Sequence, residues 1–166
     1  MIGFLVAFPV LIIALMLQLA IFSRLPLLHG TADLMLVILV CWGLQERVRT
    51  AWVWTIIGGL LITLVSGLPF YTPIIGYLIA TGLARLLHRQ VWQTPILAMF
   101  VTVFTTTLIY HALSLFMLQI AGRGLPLVDS LTMITLPSVL LNLMLALPVY
   151  TLITDLALWV YPAEIA

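Results

Sequence analysis

The chain has 166 residues, 64% of them hydrophobic and 7% charged, with a formal net charge of +1 and a mean hydropathy of +1.31. That mixture builds no water-facing globule, and without a run of basic residues it offers nucleic acid no phosphate-binding patch. A bilayer core of about 30 Å needs roughly 20 apolar residues per helix, so a single domain over residues 1–166 has room for about six spans. The apolar stretches are continuous rather than alternating, which predicts an all-α bundle of transmembrane helices and not a barrel.

In chain order the spans are expected at 3–22, 31–45, 51–66, 70–87, 94–119 and 135–160, with the breaks where charges, prolines and glycines collect. The stretch from Met1 to Phe22 has no basic n-region and no small-x-small cleavage site, and reads as a retained first span. The second and third stretches are short for a bilayer and call for local thinning or shielded irregular backbone. Cys41 lies in an apolar run and reads as a small core residue. Pro69 and Pro73 separate spans three and four, Pro137 stands near the start of span six, and Pro148 is expected to kink that span.

Charge sets the expected orientation. Arg47, Arg49, Arg85 and Arg89 flank spans two to five at one end, against Arg24 and Arg123 at the other, which places both termini in the cytoplasm. Trp42, Trp52, Trp54, Trp92 and Trp159 fall at the arginine-rich end and read as a one-sided headgroup belt. Small residues recur at i+4 spacing as Thr55, Gly59, Thr63 and Gly67 on span three and as Gly76, Ala80 and Ala84 on span four. Such ridges let helix backbones approach closely, here by packing on one another or by receiving a partner.

No nucleophile–base pair, HExxH pattern or metal-ligand cluster is legible, so no catalytic residue, cofactor or metal is assigned and the chain is expected not to be an enzyme. His111 lies mid-span at the depth of Ser138 and Asn142; a neutral imidazole bonded across helices is the simpler reading, a proton relay the other. Asp155 is placed to reach Arg85, Arg89 or Arg47 in an ion pair pinning the last helix, or else to meet a partner or stand as an exposed interfacial charge. Asp33 is placed to cap span two, with Arg24 as its candidate ion-pair partner. Gln18, Gln119 and Asn142 are polar residues in or near apolar stretches, suited to interhelical hydrogen bonds or a pocket. The tract from Ala121 to Leu136 reads as the longest loop. Its Arg123, Leu125, Leu127 and Asp129 make it the first place to look for partner docking, with anchoring at the membrane surface as the alternative.

Residues 32–87 resemble the rod shape-determining protein MreD family. The likeness is carried, in order, by Asp33-Leu34, Gly43-Leu44, Gly59-Leu60-Leu61, Ser66-Gly67-x-Pro69 and Gly76, and the six-span layout agrees over the whole chain. Two positions depart from the family pattern: Ala32 stands in place of a frequent proline, and Thr63 where many members carry aspartate, which leaves span three without an acidic group. The resemblance implies a multi-pass protein of the bacterial inner membrane that binds a single-span MreC-like protein. Through it the chain would connect to MreB and to the peptidoglycan synthase RodA with its transpeptidase, supporting lateral peptidoglycan synthesis, with membrane lipid as the other partner. The family's layout is also similar to that of the S components of energy-coupling-factor transporters. That similarity implies a central cavity and makes a vitamin-binding S component the alternative function.

Overall fold

In the computed structural model, which describes residues 2–21, 24, 27–90 and 94–162, every apolar stretch is helical and no strand forms among the described residues. The helices are α1 (Ile2–Ala20), α2 (Leu34–Leu44), α3 (Ala51–Thr63), α4 (Tyr71–Gln90) and α5 (Pro95–Ile120). A continuous run follows, in which α6 (Leu127–Ser130), a π turn (Leu131–Thr135) and α7 (Leu136–Val160) succeed one another. Three segments are long and apolar enough to cross a membrane: Gly3–Ala20, Pro95–Ile120 and Leu127–Val160. α2 and α3, with 11 and 13 residues, are only about 16 and 20 Å long at 1.5 Å per residue, short of a bilayer core.

The tract expected as a loop from Ala121 to Leu136 is helical from Leu127 onward, and its π turn has a local cause. Pro137 has no N–H, so the carbonyl of Met133, four residues earlier, lacks its α-helical donor. The His29 N–H takes that carbonyl instead, at 3.0 Å. The link belongs to a set that ties the non-helical segment 27–33 to α7: Thr31 N–H donates to Ser138 Oγ (3.1 Å) and Asp33 N–H to Asn142 Oδ1 (2.7 Å). These part-buried amides have no helical acceptor of their own, and polar side chains of α7 supply one. Gly30 makes the approach feasible: a Cβ there would stand 2.6 Å from the Ile134 carbonyl oxygen and 2.7 Å from Ser138 N, inside van der Waals contact.

α2 is the centre of the bundle. All of Leu34–Leu44 is buried, with α4, α7, α1, α3 and α5 around it. A helix apolar on every side belongs in such a position, because it has no face to give to water. Asp33 caps it by accepting from Leu36 N–H at 3.0 Å.

Two sequence expectations change at this level. The small ridges of α3 and α4 do not face each other. Thr55 meets Thr81 at 2.6 Å between hydroxyl oxygens, Gly59 lies under Ile74, and Thr63 donates to the Gly59 and Phe70 carbonyls, so the α3 ridge does pack on α4 and the turn before it. The α4 ridge points elsewhere, Gly76 against the Tyr110 ring of α5 and Ala84 against Gly43 of α2. Gly67 belongs to no ridge, since α3 ends at Thr63 and nothing lies within 4 Å of a Cβ built at Gly67.

The tryptophan belt is also revised. Trp42 and Trp54 are fully buried and stacked at 4.0 Å between ring centroids, and Trp54 Nε1 donates to the Gly3 carbonyl at 2.8 Å. They seal one end of the bundle as core residues, together with Tyr161, whose hydroxyl pairs with Thr50 Oγ1 at 3.0 Å. Only Trp52 and Trp159 are exposed as a belt requires; Trp92 lies outside the described residues.

Candidate functional site

Away from the arginine-rich end, a cleft of about 340 Å³ opens between α1, the segment before α2, the end of α3, α4, α5 and the π turn. Its polar part is assembled around Asp33. The Tyr77 hydroxyl of α4 bridges both carboxylate oxygens, at 3.0 and 2.9 Å, and Tyr77 stacks on Tyr110 of α5 with centroids 5.3 Å apart. Gln18 of α1 accepts from Met35 N–H at 2.9 Å, adding a second acceptor at the start of α2. Asn142 works behind the carboxylate: besides holding Asp33 N–H, it donates to Thr107 Oγ1 of α5 at 3.1 Å. The carboxylate itself is held by the Tyr77 hydroxyl and the Leu36 N–H, while Gln18, Tyr110 and Asn142 fix the groups around it.

The walls nearer the mouth are apolar, with Leu19, Ile62, Val65, Leu115 and Leu118 in the lining, and Leu125 at the rim. Ser66 also lines the cleft; its Oγ accepts from Leu68 N–H at 3.1 Å and fixes the turn between α3 and α4. His111 lines it too, with Nδ1 3.4 Å from Thr135 Oγ1. Ser138 and Asn142, the residues at its depth, are engaged by the 27–33 segment instead.

The ion pairs expected from sequence do not form among the described residues. Asp33 is held by the neutral donors Tyr77 and Leu36 N–H rather than by Arg24, which is exposed. Arg85 turns toward the C-terminal end of α2, donating to the Gln45 carbonyl at 3.3 Å and to the Val48 carbonyl. The guanidinium is thus committed to carbonyls of the turn between α2 and α3, and Asp155 on α7 stands exposed. Arg123, Leu125, Leu127 and Asp129 are all exposed, at the same end of the molecule as the cleft mouth. Among the described residues no group of three or more His, Cys, Asp or Glu side chains is placed to hold a metal ion.

Tyr77, Tyr110 and Thr107 have no place in the sequence reading of the site. The available signal was that a tyrosine inside an apolar helix carries a hydroxyl that needs a buried partner. The chain matches no family model, no curated protein and no solved structure.

Proposed function

We propose that this chain is a non-enzymatic membrane component of the bacterial cell-elongation machinery, similar in role to MreD. It would cross the inner membrane six times with both termini in the cytoplasm and bind a single-span MreC-like protein. One observation carries the reading: residues on which the MreD resemblance rests, Asp33 and the Ser66-Gly67-x-Pro69 turn, come together at one end of the bundle, Asp33 and Ser66 in the lining of the same cleft. The exposed tract Arg123–Asp129 rims that end and offers Leu125, Leu127 and Val128 to a partner. Two features support six spans despite the short α2 and α3. The Thr31 and Asp33 amides before α2 are satisfied by α7, and α2 itself is shielded on all sides, so the short helix sits inside protein.

Affinity purification of the tagged chain from its native membrane in mild detergent, with mass spectrometry of co-purifying proteins, tests the reading. Recovery of a single-span, coiled-coil cell-shape protein is expected. A second reading, the S component of an energy-coupling-factor transporter, is favoured by the cleft itself, whose polar floor and apolar walls have the make-up of a small-molecule pocket. Recovery of an ATPase pair with a membrane coupling subunit would replace the first reading with the second.

A further inference from the structure

We propose that the cleft binds a primary ammonium group carried on an aliphatic chain, with the Asp33 carboxylate as its counter-charge. A carboxylate set among apolar helices calls for a cationic partner, because the charge is poorly solvated there. The protein supplies none: the hydrogen bonds to Asp33 come from neutral groups, no arginine lines the cleft among the described residues, and Arg85 is committed to the Gln45 and Val48 carbonyls at the other end. The counter-charge is left to a ligand.

The surroundings define its chemistry. Apart from Asp33, the cleft lining holds neutral polar groups, His111 and apolar residues, so an anionic headgroup finds no cation to meet. The Tyr77 and Tyr110 rings, stacked and buried beside the carboxylate, hold the Tyr77 hydroxyl on Asp33 and add no charge to the cleft. Because the Tyr77 hydroxyl bridges both carboxylate oxygens, the edge that a guanidinium would grip in bidentate fashion is occupied. A compact ammonium needs only one free approach. Leu19, Val65, Leu115 and Leu118 then provide a wall for methylene groups. The same chemistry is offered by a free aliphatic amine and by the ethanolamine headgroup of a phospholipid.

The test uses the purified full-length chain and n-butylammonium as probe, with 1-butanol as its uncharged counterpart. In detergent micelles, butylammonium is expected to raise the unfolding temperature in a saturable way, and butanol is not. Asp33→Asn removes the charge. Ser114→Leu fills the cleft from α5 without replacing any group that bonds Asp33, so it decides the matter if Asp33→Asn does not fold. Either variant should weaken the apparent butylammonium affinity by about tenfold or more. In nanodiscs, selective retention of phosphatidylethanolamine over phosphatidylglycerol by native mass spectrometry, with a blunted butylammonium response, assigns the site to the lipid headgroup. An equal response in both lipids assigns it to a free amine. The proposal is overturned if butylammonium does no more than butanol and neither lipid is retained selectively, or if Ser114→Leu responds like the wild type. The inference stands on the cleft alone, so failure to recover a cell-shape partner leaves it intact.

Discussion

At the scale of single residues, the glycines separate positions that look alike in sequence. Gly30 and Gly67 both stand in connecting segments, yet a Cβ at Gly30 meets backbone atoms of the π turn and α7, whereas one at Gly67 meets nothing within 4 Å. Gly30→Ala is therefore expected to destabilise the protein by about 1–3 kcal/mol, the usual effect of overpacking against groups that do not yield. Gly67→Ala is expected to stay within about 0.5 kcal/mol of the wild type. Thermal unfolding of both variants in the same detergent checks the pair, and equal losses would contradict the close approach at Gly30. The polar residues show the limit of sequence reading at this scale. Asp33 as a helix cap was legible because the residue type and its position before an apolar run are local signals. Its partnership with Tyr77, 44 residues away, was not, because charge suggested Arg24 and nothing local marks a tyrosine that stands one helix over.

At the scale of elements, α4 distributes its small residues between two neighbours, Gly76 to α5 and Ala84 to α2. Spacing on one helix identified the small positions but carried no information on which helix each would meet. The contact of Gly76 with the Tyr110 ring gives a direct check by double-mutant cycle. Gly76→Ala should be destabilising in the wild-type background and less so beside Tyr110→Leu, with a coupling of about 0.5–3 kcal/mol. Strict additivity would remove the contact. Element positions were otherwise legible from apolar runs, with one exception. The start of the last helix was missed by eight residues, Leu127 against an expected 135, because Pro126, Gly124 and Gly122 read as continued loop. A proline that opens a helix and one that ends it look alike until the donor balance of the neighbouring turn is known.

At the scale of the whole molecule, the proposed orientation places the Arg47 end in the cytoplasm and the Arg123 end outside. Cys41 has no exposed surface, so the native chain is a silent background for thiol labelling. In intact cells freed of the outer permeability barrier, Arg123→Cys should react with a membrane-impermeant maleimide, and Arg47→Cys should react only after lysis. The reverse pattern would invert the topology while leaving the fold untouched. Composition made the helical class legible. It did not reveal the position of α2, because an 11-residue apolar run looks the same whether one neighbour covers it or five do.

The stitching of residues 27–33 to α7 also bears on the order of synthesis. The amides of Thr31 and Asp33 emerge early from the ribosome, but their acceptors, Ser138 and Asn142, follow 107 and 109 residues later. Through most of translation the Thr31 and Asp33 amides lack these acceptors. Completion of the bundle is thus an event of the last helix described, and a chain interrupted before it would present quality-control proteases with open amides and one bare face of the central helix.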